Sequence, residues 1–286
     1  MTKRSVVITT SILVGIVAIF TILFGMVFRV RDIQVVHGKD FYHKTEINQI
    51  IKDSKLRKNI GIFSVDTDKI SANIEKEYPN IRVDSVNIAS FTSVKIKLSN
   101  REPLYYVVEE AVYYILDEDC KVLEVTNNNL RASGYIKLNN MFNLGSSVQA
   151  GDFLGGKYAK LCNSLYKSIY SCAMLNLDNG SGEYEDRYLE REDMCQVIND
   201  ISLTQVNELK GKVDKIVLST SFGSKISIID PQQDLDLKIN MAFSALRTII
   251  AQDAEDGTNL STTGTIAVRY SYDDNNNATL KCEYHI

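Results

Sequence analysis

The sequence predicts an α+β protein with one N-terminal transmembrane helix. Three observations support this fold class: an uncharged N-terminal run, a β-α-α-β-β pattern after it, and a long strand-rich remainder that contains two amphipathic helices. We predict a short cytoplasmic tail at 1–4, a transmembrane signal anchor at 5–28, a β-α-α-β-β domain at 29–102, and a mainly antiparallel β-sheet domain with two packed helices at 103–286.

The first element is the apolar run "SVVITTSILVGIVAIFTILFGMVF", Ser5 to Phe28, which contains no charged residue. As an α-helix it would extend about 36 Å, enough to cross a hydrocarbon core of roughly 30 Å. A cleaved signal peptide is the alternative. The run is longer than the apolar region of a signal peptide, and no A-x-A-like cleavage site follows. The sequence therefore predicts an uncleaved anchor.

Positive charges flank the run on both sides, with Lys3 and Arg4 before it and Arg29 after it. The N-terminal flank has too few residues to hold a folded domain, whereas a long C-terminal domain can be translocated despite flanking positive charges. We expect a single-pass type II membrane protein with most of the chain extracytoplasmic.

The formal charge of the chain is −4, and removing the +2 of Lys3 and Arg4 leaves −6 on the remainder. A surface that binds phosphates needs an excess of Lys and Arg. The charge balance therefore disfavours a nucleic-acid partner.

Cysteine and histidine spacing gives no metal or cofactor motif, and we expect neither group. The five cysteines are irregularly spaced and form no C-x-x-C pair, so neither a disulfide framework nor a zinc site is indicated. The three histidines are scattered along the chain at positions 37, 43 and 285.

The segment 29–102 carries the clearest start and stop signals. Asp66 is a suitable N-cap, Val65 and Ile70 occupy the positions of a hydrophobic staple, and Pro79 ends the helix. The runs "IRVDSVNIA" and "SVKIKLSNR" alternate apolar and polar residues, as strands with one buried face do.

After Pro103 the pattern changes to strands, beginning at 104–108, 112–116 and 121–125. Amphipathic helices are predicted at about 156–173 and 234–252, and an exposed acidic loop at 178–193. Further strands are predicted at 196–203, 213–219 and 225–230. A hairpin, "TGTIAVRYSYDDNNNATLKCEYHI", completes the predicted sheet.

Taken in order, these segments resemble the FtsQ/DivIB family of bacterial cell-division proteins. The segments "IQVVHGKDFYHKTEI", "NIGIFSVDTDKISANIEKEYPNI" and "VKIKLSNREPL" are similar to the family's POTRA domain. The runs "AVYYILDEDCKVL", "KISIIDPQQDLDLKINMAFSAL" and "IAVRYSY" are similar to its β domain. The first of these segments departs from the family in having Lys39 after the glycine and no Ser cap on the first helix, and the acidic stretch 178–193 is longer than expected for the family.

The resemblance implies a non-enzymatic scaffold at the division septum that works with FtsB/DivIC-like and FtsL-like proteins and regulates septal peptidoglycan synthesis. Septal peptidoglycan synthases are further possible partners. In the family, a partner chain adds as a strand to the last strands of the β domain. The family's contact motif matches "VRY", so Arg269 and Tyr270 carry over by position, and we predict that Val268, Tyr272 and Tyr284 of the same hairpin also contact the partner. The Trp that some members carry nearby has no match, since the chain lacks Trp; Tyr284 and Cys282 lie near that position.

The hairpin itself supports a docking role on physical grounds. An edge strand presents unpaired N–H and C=O groups, and natural proteins usually cover or blunt such an edge. An uncovered edge can receive a partner strand, with ladder hydrogen bonds for affinity and alternate side chains for specificity. The alternative is that the hairpin is paired internally, because the sequence does not show which edge is free.

Two other functions stay open from motifs alone. A membrane-anchored extracytoplasmic cell-wall enzyme is suggested by "SLYK" at Ser164–Lys167 and "SAN" at 71–73, although the K-[ST]-G element of penicillin-recognising enzymes is absent. A type II surface glycoprotein is suggested by N-x-[ST] patterns at Asn179, Asn259 and Asn277.

Overall fold

The computed structural model describes residues 12–19, 21, 25–38, 41, 47–145, 147–208, 211–273 and 277–286. The chain is an α+β protein that divides into two compact units, Met1–Arg101 and Glu102–Ile286.

The first unit has the element order β-α-α-β-β. Its elements are β1 (Asp32–His37), α1 (Ile47–Asp53), a 3₁₀ turn (Ile62–Ser64), α2 (Thr67–Glu77), β2 (Ile81–Ser90) and β3 (Ser93–Asn100). The sheet order is β1-β3-β2, with β1 parallel and β2 antiparallel to the central β3.

Local sequence explains why α2 begins where it does. Asp66 is the N-cap as predicted, and its Oδ1 accepts a hydrogen bond from the Lys69 N–H at 3.0 Å. Ile70 and Ile74 of α2 are buried against the sheet, where they join the apolar residues of β3 in one core.

The second unit contains the remaining elements. They are β4 (Tyr105–Glu109), β5 (Val112–Leu116), β6 (Val122–Thr126), α3 (Asn129–Ala132), β7 (Ile136–Asn139), α4 (Lys157–Cys172), β8 (Met174–Asp178), β9 (Tyr184–Tyr188), α5 (Arg191–Val197), β10 (Ile198–Glu208), β11 (Gly211–Thr220), β12 (Lys225–Ile229), α6 (Leu235–Asp256), α7 (Leu260–Thr263), β13 (Thr265–Tyr272) and β14 (Ala278–His285).

Nine of these strands form one sheet in the order β14-β13-β12-β11-β10-β7-β4-β5-β6. The sheet is mainly antiparallel, as predicted, but it is mixed: the pairs β4–β7, β7–β10 and β12–β13 are parallel, and the other five neighbouring pairs are antiparallel. Parallel neighbours need a crossover connection, and the long helices α4 and α6 lie in the connections before β10 and β13. Both helices bury an apolar stripe in the core of this unit.

The predicted transmembrane helix at 5–28 is overturned. Among the residues that the structure describes, none of the helices has both the length and the apolar composition needed to cross a membrane. Within that segment the helical residues described are 12–19, 21 and 25–27. The single-pass membrane location rested on this helix and is corrected with it.

Of the three positive residues predicted to flank the apolar run, the structure describes only Arg29. Lys3 and Arg4 lie outside the described residues. Arg29 is exposed and forms an isolated antiparallel bridge with Gly61 in the first unit.

The predicted acidic loop at 178–193 is also wrong. Residues 184–188 form β9, which pairs with β8, and α5 begins at Arg191. The charges of this segment are used in local contacts: Asp193 caps α5 by accepting from the Glu190 N–H at 3.0 Å and pairs with Arg187 at 2.9 Å. Acidic composition therefore did not indicate an irregular loop here.

Candidate functional site

The two ends of the nine-stranded sheet differ in how they are covered. At one end, β6 is short and is flanked by the loop around Asp152: the Val122 N–H donates to the Asp152 carbonyl, and the Gly151 N–H donates to the Val122 carbonyl, both at 2.8 Å. At the other end, β14 pairs with β13 over eight residues, and no described strand pairs with its outer side. The outer edge of β14 is therefore an open edge of this sheet, eight residues long.

The direction of the β14 backbone groups follows from the hairpin register. The Asp273 N–H donates to the Asn277 carbonyl at 3.1 Å, so these opposed residues form a hydrogen-bonded pair. The register continues without a bulge from Tyr272↔Ala278 to Thr265↔His285. Because hydrogen-bonded and non-hydrogen-bonded pairs alternate along an antiparallel ladder, the odd-numbered residues of β14 bond to β13. The N–H and C=O groups of Ala278, Leu280, Cys282 and Tyr284 point away from β13, toward the open edge.

The side chains of β14 separate by face. Leu280, Cys282 and Tyr284 pack against the core, on the face that carries α6, whereas Lys281 and Glu283 lie on the opposite face. An incoming strand would therefore meet an apolar row on one face and a charged row on the other.

A groove runs beside this edge on the α6 face. It has a volume of about 430 Å³ and is lined mainly by the outer side of α6. The α6 residues at the groove, including Met241, Ser244, Ala245 and Thr248, are mostly small, and Cys282 contributes from β14. Space for side chains therefore adjoins the unpaired backbone.

The predicted contact residue Tyr284 is an anchor of the strand. Its hydroxyl donates to the Leu260 carbonyl at 2.5 Å, and its ring lies directly against the backbone of Gly264. These contacts fix the end of β14 to the segment that connects α6 with β13.

The other predicted residues lie on β13, one strand inside the edge. Val268 is fully buried in the core, so its side chain has no surface to offer to a partner. Arg269 lies on the charged face with 44% of its side chain exposed, directly opposite Lys281, and its guanidinium pairs with Glu283 at 3.3 Å.

Tyr270 lies on the α6 face and is held by two neighbours. Its hydroxyl donates to Asp234 Oδ2 at 2.6 Å, a hydrogen bond that raises the pKa of Tyr270, and Lys238 Nζ lies 5.2 Å from the centre of its ring. Beyond Val268, β13 extends past its last pair with β12, and a cavity of about 120 Å³ opens there, lined in part by Tyr270 and Tyr272.

Lys238 is a functional-site residue that the sequence did not reveal. It lies on α6 and is fully buried, and its ammonium donates to the carbonyls of Ile229 at 2.9 Å and Asp230 at 2.7 Å. Burial lowers the pKa of Lys238 from its ordinary 10.5, against the opposing effect of Asp230 and Asp234. From the start of α6, the Lys238 side chain therefore contacts both the end of β12 and the ring of Tyr270.

Asp253 organises the turn that leads to the open edge. Its carboxylate accepts hydrogen bonds from the Leu260 N–H at 2.8 Å, the Ser261 N–H at 2.6 Å and the Thr258 hydroxyl at 2.5 Å. Burial alone would raise the pKa of Asp253, but these hydrogen bonds outweigh it and hold the pKa well below its ordinary 3.8.

Asp253→Asn is expected to reduce the acid sensitivity of the fold. Because the folded-state pKa lies below the unfolded value, Asp253 contributes stability at pH values above about 4, and that contribution is lost as pH falls further. Urea midpoints measured from about pH 6 downward should converge for the two proteins in acid. Asp256→Asn at the exposed end of α6 is the matched control, and equal pH profiles for wild type and Asp253→Asn would contradict this role.

The motifs that suggested an enzyme lie in different units of the chain. Ser71 lies in the first unit, where its hydroxyl donates to the Thr67 carbonyl at 3.0 Å within α2, whereas Ser164 and Lys167 are exposed on α4 in the second unit. Within the described part of the chain, no three His, Cys, Asp or Glu side chains are grouped to hold a metal ion. His43 lies outside the described residues.

The fold and the edge together define a class: a two-unit α+β protein whose second unit has an eight-residue edge strand with no described strand on its outer side. A scan of protein-family models gives no match for the chain, and a search of curated proteins gives no significant match.

Proposed function

We propose that the protein is a non-enzymatic scaffold of the bacterial division machinery that holds a partner polypeptide as an added strand on β14. The proposed partners are FtsB/DivIC-like and FtsL-like division proteins, and the scaffold regulates septal peptidoglycan synthesis through them. The open outer edge of β14, beside the resemblance of the sequence to the FtsQ/DivIB family, is the observation that carries this proposal.

Affinity would come first from the backbone. The outward-facing residues Ala278, Leu280, Cys282 and Tyr284 offer four N–H donors and four C=O acceptors to an incoming strand. Each completed hydrogen bond contributes about 0.5–1.5 kcal/mol net, whatever the partner's side chains are. Ordering of a flexible partner opposes part of this gain.

Specificity would come from the two faces of the edge. Alternate side chains of the added strand enter the groove beside Met241, Ser244, Ala245 and Thr248, where apolar groups of moderate size fit. The intervening side chains meet the charged face, where Arg269 and Lys281 lie opposite each other and favour an acidic residue. The partner segment should therefore alternate apolar and charged residues.

Cys282→Pro tests the strand addition directly. The Cys282 N–H points outward and makes no ladder bond to β13, so proline there removes a donor from the docking edge and leaves the hairpin ladder complete. We expect capture of the purified FtsB/DivIC-like protein of the native host by the full-length chain to weaken by about tenfold or more.

The matched control is Cys282→Ala, which loses the same thiol but keeps the N–H, and which should capture the partner like wild type. Circular dichroism of both variants checks that the fold is retained. Equal capture by Cys282→Pro and Cys282→Ala would contradict strand addition at this edge.

A further inference from the structure

We propose that β14 also pairs with β14 of a second copy of this chain, antiparallel about Cys282, so that two nine-stranded sheets join into one. This inference rests on the open edge and not on the proposed division partner. It adds a regulatory consequence, because a partner strand must then compete with the second copy for the same backbone groups.

The backbone limits how two copies can pair. Hydrogen bonds across the new seam can form only when outward-facing residues of one copy oppose outward-facing residues of the other. These are the even-numbered residues of β14. In the register centred on Cys282, Cys282 opposes its own counterpart and Leu280 opposes Tyr284 of the second copy. The two-fold symmetry then repeats the Leu280–Tyr284 pair, as an isologous interface requires.

The charged face selects this register over its neighbours. With Cys282 at the centre, Lys281 of each copy lies opposite Glu283 of the other, in a non-hydrogen-bonded pair where the side chains are closest. Moving the centre by one residue toward Lys281 places Lys281 opposite Lys281. Moving it by one residue toward Glu283 places Glu283 opposite Glu283. Like charges directly opposite each other are unfavourable in a sheet.

Within one copy, Lys281 has no ion-pair partner among the described residues, so it can pair with a carboxylate of the second copy. Lys281 lies directly opposite Arg269, a cationic pair, and within the described part of the chain no carboxylate forms an ion pair with Lys281. Glu283 pairs with Arg269 through Oε2 at 3.3 Å, and its side chain keeps about a third of its surface exposed. Glu283 of the second copy would supply the counter-charge to Lys281.

The helices do not obstruct the joined sheet. Opposed residues in a sheet share a face, so α6 of both copies would lie on the same side. Among the strands of the nine-stranded sheet, the helix contacts β13 most, and the two β13 strands would be three strand spacings apart, about 14 Å. This separation exceeds the roughly 8–10 Å between packed helix axes, and the residues that face the gap, such as Ser244 and Thr248, are small.

Charge reversal and its rescue test the proposal. Sedimentation equilibrium of the full-length chain should show a monomer–dimer equilibrium. Lys281→Glu or Glu283→Lys alone places two like-charged pairs across the seam and should weaken dimerisation about tenfold or more. The double variant Lys281→Glu/Glu283→Lys restores opposite charges in the same register, and its affinity should return to within about threefold of wild type.

Hydrogen exchange provides a second measurement that does not depend on the variants. The amides of Leu280, Cys282 and Tyr284 should become protected as protein concentration rises, whereas those of Lys281 and Glu283 are bonded to β13 and should be protected at every concentration.

Three results would overturn the pairing. The first is a wild-type chain that stays monomeric and whose Leu280, Cys282 and Tyr284 amides exchange freely at every concentration. In that case the β14 edge would pair only with a strand of another protein. The second is a dimer that the single reversals do not weaken, which would place the contact elsewhere, for example on the exposed apolar residues 12–19. The third is a double variant that does not recover dimerisation.

Discussion

Gly264→Ala is expected to lower the free energy of unfolding by about 2–4 kcal/mol. A Cβ atom at Gly264 would overlap the hydroxyl and ring of Tyr284, so the ring must move away. That movement breaks the hydrogen bond from the Tyr284 hydroxyl to the Leu260 carbonyl and exposes part of the ring. The backbone of Gly264 is extended (φ −94°), so the cost arises from the overlap and not from backbone strain.

Urea denaturation followed by circular dichroism measures this effect. Gly155→Ala is the matched control, because a Cβ there has no atom within 4 Å, and it should change stability little. The double variant Gly264→Ala/Tyr284→Ala removes the overlapping ring, so its loss should be smaller than the sum of the two single losses. Additive losses would show that Gly264 and Tyr284 do not interact as described.

The second large effect is expected at Lys238. Lys238→Met keeps the apolar stem of the side chain but removes the ammonium, so the partly buried residues Ile229 and Asp230 lose this donor to their carbonyls. Loss of these two charge-assisted hydrogen bonds should cost about 2–4 kcal/mol. The ring of Tyr270 also loses its cationic neighbour.

The pH dependence of this difference has a definite sign. Burial lowers the pKa of Lys238 below its unfolded value of 10.5, so the unfolded chain binds more protons in that range. The stability of wild type relative to Lys238→Met should therefore increase as pH rises toward about 10.5. Exposed Lys160 on α4, changed to Met, is the control for removing a lysine. Equal urea midpoints for wild type and Lys238→Met would contradict the structural role of the buried ammonium.

Gly264 and Lys238, together with Asp253, connect stability to the candidate site. Gly264 and Asp253 determine how β14 is fixed at the Tyr284 end, whereas Lys238 positions Tyr270 behind the edge. Variants at these positions should consequently be compared for partner capture only where their folds are shown to be intact.

Local patterns predicted many elements correctly. The N-cap at Asp66 depends on one side chain and the next turn of backbone, and the structure confirms it. The helices α4 and α6 lie within a few residues of the predicted ranges 156–173 and 234–252, since a 3.6-residue apolar period identifies a helix wherever it packs. The alternation in the hairpin likewise predicted β13 and β14.

Other predictions failed where composition was used in place of contacts. The uncharged residues 5–28 indicated a spanning helix, but none of the described helices is both long and apolar enough to cross a membrane. The acidic residues of 178–193 indicated a loop, but Asp193 and Asp186 pair with Arg187 and Arg247, which stabilises ordered structure there.

The amino-acid sequence by itself determined the apolar stripes, the caps and the hairpin, because these depend on residues within a few positions of each other. Only the tertiary structure decided that β14 lies at the border of the sheet, that Val268 is buried, and that the Lys238 ammonium reaches two backbone carbonyls. Strand order and burial arise from pairing between segments far apart in the chain, and no local pattern carries that information.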